Sequence, residues 1–137
     1  MPWTPWYHND VAISPELSLS RADVFSQSGL ELLAAGEPVL AVKAFRSAIA
    51  ADAAHVEAHH GLIRALRDAE QFEAAVDVAR TLTALTPEDP LAQTSLSIAL
   101  QKAGHIPEAE SAAGRARILE WKQQLAQPVP SAEDSHG

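Results

Sequence analysis

The residues most able to do chemistry crowd into one stretch, HVEAHH at 55–60, which holds three of the six histidines and a glutamate. His55 and His59 are four apart, so on a continuous helix they would share a face and could ligate a metal together with an acid. The surroundings argue for a structural role instead. His55 falls at a turn between two helical stripes, where the four-residue geometry is lost, and His59 falls on an apolar stripe. No metal site and no cofactor are therefore expected. There is no Cys, which removes thiolate ligands, thiol nucleophiles and disulfides. There is also no Gly-rich phosphate loop, no nucleophile elbow and no HExxH motif. The sequence predicts a protein that is not an enzyme.

The elements that must position these residues follow from periodicity. Residues 22–55, 56–89 and 90–123 align as three blocks of 34 without a gap. Column twenty reads Ala41, Ala75, Ala109, column eleven Leu32, Leu66, Leu100, and column fifteen Gly36, Glu70, Gly104. Each block carries one apolar stripe at helical spacing, a break near column fifteen, and a second stripe (Ala41, Phe45, Ala48; Ala75, Ala79, Leu82; Ala109, Ala113, Ala116). Spacing of i, i+3, i+4 and i+7 predicts two amphipathic helices per block, a helical hairpin. Gly36 and Gly104 suit left-handed helix ends, and Pro38 and Pro107 suit the first turns that follow. Asp89-Pro90 reads as an N-cap with the first helical residue, and Ser20 with Asp23 as a capping box.

This pattern resembles the tetratricopeptide repeat family, whose repeat is a 34-residue helix–turn–helix. The matching residues are Gly29 at column eight, the Ala of column twenty, Phe45 at column twenty-four and Pro87 at column thirty-two. The pattern departs at column four, with Phe25, His59 and Gln93, and at column eight, with Ile63 and Ser97. The resemblance spans about 100 residues and implies an all-α, right-handed solenoid of three hairpins. It further implies that the first helices line a concave groove through columns two, five, nine, twelve and thirteen. Those columns bring an apolar strip (Leu30, Leu33, Leu91, Ile98) beside His60, Arg64, Arg67, Gln101 and Lys102. Arginine forks suit carboxylates, so the expected ligand is a peptide or protein surface carrying an acidic group or a free C-terminus. The carboxylate clamp of the family's heat-shock-chaperone-binding members is absent, since Ser26, Leu30 and Gly61 stand in its columns.

Flanking segments complete the expected organisation. Residues 1–20 form an extended arm with Pro2, Pro5 and Pro15, and it contains Trp3, Trp6 and Tyr7, two of the three Trp and the only Tyr. The aromatics are expected to dock on the body or on a partner, with folding back favoured because an exposed two-Trp tail would be sticky. Residues 21–127 form the repeats with a long last helix, and 128–137 a polar, Pro-containing disordered tail. In the last helix Ile118, Trp121 and Leu125 lie on one stripe that no fourth block covers. The extension is expected to fold over the body, with a homodimer contact or docking onto a larger complex as alternatives.

The net charge is −8, but ten bases against fourteen acids between Arg21 and Lys122 leave the body only at −4. An acidic chain argues against nucleic acid as the ligand. No basic-then-apolar leader and no apolar run of about 20 residues occur, so the sequence predicts a soluble, cytoplasmic protein without membrane insertion. The leading expectation is a non-catalytic interaction module, an adaptor or assembly factor. The alternative is a permanent structural subunit docked through the arm and the Trp121 stripe.

Overall fold

The structure, a computed structural model, describes residues 19–128. The arm with Trp3, Trp6 and Tyr7 and nearly all of the C-terminal tail lie outside the described residues. Six helices make up the described chain: α1 (Arg21–Ala34), α2 (Pro38–Ala51), α3 (Val56–Asp68), α4 (Phe72–Leu85), α5 (Pro90–Lys102) and α6 (Ile106–Ala126). They pair in order as three antiparallel hairpins, and no strand occurs among the described residues. No helix there is long and apolar enough to cross a membrane.

The helix ends follow local chemistry. Ser20 Oγ accepts from the Asp23 N–H at 3.0 Å while Asp23 Oδ2 accepts from the Ser20 N–H at 3.2 Å, the reciprocal capping box. Asp89 Oδ1 accepts from the Leu91 N–H at 3.0 Å. Each hairpin turn is a Schellman motif, in which two N–H groups past the helix end return to its orphan carbonyls. The Gly36 N–H reaches Leu33 O and the Glu37 N–H reaches Leu32 O, and the same pair of bonds recurs at Glu70–Gln71 and at Gly104–His105. The motif needs a left-handed residue, supplied by Gly36 (φ 76°), Gly104 (φ 88°) and, without a glycine's freedom, Glu70 (φ 61°).

Packing explains the small residues. Phe45 on α2 is fully buried between α1 and α3, where a Cβ on Gly29 would lie 2.7 Å from its ring and one on Gly61 closer still. At the next junction the sizes trade places: Ala79 holds the Phe45 column and Ile63 the Gly29 column, and both are buried. The backbones of the first helices α1, α3 and α5 approach one another closely in sequence, whereas those of the second helices α2, α4 and α6 stay further apart. Closer spacing on one side curves the stack, so the first helices line its inner side.

Candidate functional site

On that inner side, α1 and α3 enclose a cleft of about 340 Å³ lined by Leu30, Leu33, Glu57, His60, Gly61 and Arg64. Leu30 is half exposed, at 51%, although it is a large apolar side chain on a folded face. His60 Nδ1 lies 3.3 Å from Ser95 Oγ on α5. Burial pushes the His60 imidazole below its ordinary value, with nearby His59 adding to the shift and Asp89 opposing it. The wall is thus apolar and the far rim carries nitrogen. Arg64 approaches Asp68 only at 4.0 Å, with both side chains largely exposed, a pairing that leaves most of the guanidinium's donors free. One turn on, Arg67 is half buried, and its Nε has no hydrogen-bond partner among the described residues.

The other sequence-derived groove residues spread further along the stack. Ile98 is half-buried and Lys102 is exposed at the end of α5. Gln101 lines a different cleft, with Ser97, Ile106 and Glu110, at the open end where a following hairpin would pack. Its column borders the next repeat, and with none following among the described residues it faces solvent. Asp23, in a groove column, is already committed to capping and to His55.

Two histidines of the cluster, His55 and His59, are bonded within the fold. His55 is the N-cap of α3: its Nδ1 accepts from the Ala58 N–H at 3.1 Å, which leaves Nε2 to donate to Asp23 Oδ1 at 2.7 Å. That bond, with further bonds from Ser20, holds the Asp23 carboxyl below its usual value. His59 is 3% exposed and donates from Nε2 to Ala53 O at 2.9 Å. With these nitrogens engaged within the fold, the described residues gather no group of three or more potential metal ligands. Sequence reasoning finds the cluster but misses its tie between successive hairpins. The column pattern likewise marks Gly61 only as a missing clamp residue, not as the seat of Phe45.

Comparison with known proteins agrees with this architecture. Residues 32–97 match the tetratricopeptide repeat family. Over that segment the chain carries tetratricopeptide repeats. Solved structures with the same fold include MamA, at 20% identity and a TM-score of 0.71 over 80% of this chain and 64% of that one. The second TPR of Spaghetti (RPAP3) bound to the HSP90 peptide SRMEEVD matches at 19% identity and a TM-score of 0.67, over 72% of this chain and 92% of that one. The Yersinia enterocolitica type III secretion translocator chaperone SycD matches at 19% identity and a TM-score of 0.68, over 80% and 86%. The chain spans less than two thirds of MamA's length. A search of the curated proteins gave no match. At these identities the likeness establishes the tetratricopeptide fold and nothing finer.

The last helix runs unbroken to Ala126, 21 residues against 14 for α2 and α4. It does not fold over the body. Ile118, Trp121 and Leu125 stay 53%, 61% and 67% exposed, so the stripe remains uncovered by the described residues.

Proposed function

We propose that the protein is a non-catalytic interaction module that holds a peptide or partner surface bearing an acidic group in the cleft between α1 and α3. The observation that carries this reading is the juxtaposition of Leu30 and Leu33 with His60 and Arg64 around one cleft of about 340 Å³. Apolar surface supplies most of the affinity of such a site, and a few charged donors fix orientation. Arg67 adds a buried N–H without an acceptor, a group that costs free energy until a ligand oxygen satisfies it. Lys102 extends the positive rim, and Ile98 the apolar wall. An interaction role is also supported by the family and by the printed titles of two neighbours, an HSP90-peptide complex and a translocator chaperone.

Selection from a display library of random heptapeptides with free carboxy-termini tests the reading. Enriched peptides are expected to pair an aspartate, glutamate or terminal carboxylate with apolar neighbours. Enrichment of basic or uniformly apolar sequences would oppose it. A second reading, a permanent subunit of a larger assembly in the cytoplasm, is favoured by the uncovered Ile118–Trp121–Leu125 stripe. Trp121→Ala would then abolish co-purification of the assembly while leaving peptide selection intact.

A further inference from the structure

A second cleft opens on the opposite side, between the second helices. The backbones of α2 and α4 stay apart, and a gap of about 390 Å³ lies between them, lined by Arg46, Ile49, His59, Leu62, Val78 and Thr81. The corresponding gap between α4 and α6 is smaller, about 280 Å³, and polar contacts span it. There Arg80 pairs with Glu108 at 3.1 Å, and Arg115 Nε donates to Gln93 Oε1 at 3.0 Å. Moving each of these four back by one repeat of 34 gives Arg46 for Arg80, Ala74 for Glu108, Thr81 for Arg115 and His59 for Gln93. The first gap keeps the arginine but loses both the acid that engages it and the cation that covers the buried polar residue. It is therefore the wider of the two, with no side-chain bridge across it among the described residues.

Its chemistry is specific. Ile49, Leu62 and Val78 make an apolar floor. His59 spends Nε2 as a donor to Ala53 O, so Nδ1 is a bare lone pair, buried and without a partner among the described residues. A complementary side chain must be apolar, flat enough for a helix–helix gap, and must carry one N–H or O–H donor and no obligatory acceptor. Indole meets that description: it is large, apolar and donor-only.

We propose that this cleft is the seat of the chain's own N-terminal segment PWTPWYH, with Trp3 or Trp6 inserted so that its indole N–H donates to His59 Nδ1. The segment enters from the correct end. Residues 1–18 precede Leu19, and the capping box at Ser20–Asp23 is bonded directly to His55, one helical turn of about 5–6 Å from His59. Twelve residues lie between Trp6 and Leu19, a tether that spans up to about 45 Å when extended. A tethered ligand also sees an effective concentration on the order of millimolar, so modest contacts suffice. The proposal stands apart from the concave groove and does not rest on it.

The test uses the full chain with Trp121→Phe, which removes an exposed indole and leaves Trp3 and Trp6 as the only tryptophans. Their emission is expected to be blue-shifted and resistant to acrylamide. Adding Ala74→Glu with Thr81→Arg rebuilds the lid that the second gap already carries. The emission should then shift to the red and become readily quenched, with helical circular dichroism unchanged. Independently, Trp3→Ala with Trp6→Ala lies outside the repeats and should lower the melting temperature. Red, freely quenched emission before the lid is added overturns the proposal. So does protection that survives the lid, or a melting temperature indifferent to the arm.

Discussion

Replacing Gly61 with alanine adds one methyl group at the most crowded point of the fold. In a helix that change normally stabilises by about 0.5–1 kcal/mol, because glycine loses more backbone entropy on folding. Here the new Cβ would enter the van der Waals envelope of the Phe45 ring, whose third-nearest atom is still only 2.8 Å away. Phe45 has no exposure and is wedged against Gly29 on its other side, so it cannot swing clear. Overpacking of this kind costs about 1–3 kcal/mol, occasionally more, which outweighs the entropic gain. Gly61→Ala is therefore expected to lower stability by about 1–2 kcal/mol net. The control is built into the same chain. A methyl group on Gly114 in α6 would meet only Arg117 Nη2, at 3.8 Å, so Gly114→Ala should raise stability by about 0.5–1 kcal/mol. Urea unfolding at pH 7, followed by circular dichroism, reads both signs in one assay. Phe45→Leu on the Gly61→Ala background should recover part of the loss. Two substitutions of the same sign, or a Gly61→Ala protein as stable as wild type, would refute the packing argument.

Three further outcomes follow from the turns, the cap network and the groove histidine. Glu70→Gly removes a left-handed strain and should stabilise the chain by about 1 kcal/mol in a thermal melt, while Gly36→Ala should destabilise by a similar amount. His55→Ala deletes the α3 cap and should cost about 0.5–2 kcal/mol in urea unfolding. Because His55 helps hold Asp23 below its ordinary 3.8, that contribution is present above the unfolded value and is lost as pH falls through the folded one. Stability should accordingly fall less steeply below about pH 4 in His55→Ala than in wild type, and an NMR titration of Asp23 should show its value rise. Burial depresses the His60 value below 6.5, so the neutral ring is favoured on folding and stability is lost as pH drops through the folded value; His60→Asn should flatten that limb of a stability–pH profile.

What could be seen in the sequence tracks what is local. The helical stripes, the capping box at Ser20 and the turns at Gly36 and Gly104 all depend on residues within a few positions of one another, and each appears as expected. Glu70 shares a column with two glycines, so its backbone conformation is also foreshadowed. Features set by contact across hairpins were hidden. Gly61 faces Phe45 from 16 residues away in sequence, and nothing in its own neighbourhood signals a ring. Ile63 and Ala79, both buried, stand in the columns of Gly29 and Phe45, so large and small residues exchange columns between successive blocks. Within the groove, the column rule groups Leu30, Leu33, His60 and Arg64 as the structure does. It fails to separate Gln101, because the rule assumes a following repeat that the described chain lacks.

The central claim, that the α1–α3 cleft holds an acidic peptide through arginine beside an apolar wall, is tested most directly by one affinity comparison. A labelled peptide taken from the display selection is titrated with wild type and with Arg64→Glu/Arg67→Glu, and binding is followed by fluorescence anisotropy at low and moderate salt. The account predicts a loss of roughly tenfold or more, about 1.4 kcal/mol, with wild-type affinity falling as salt rises. A charge-reversed protein that binds within about twofold of wild type, about 0.4 kcal/mol, would contradict it.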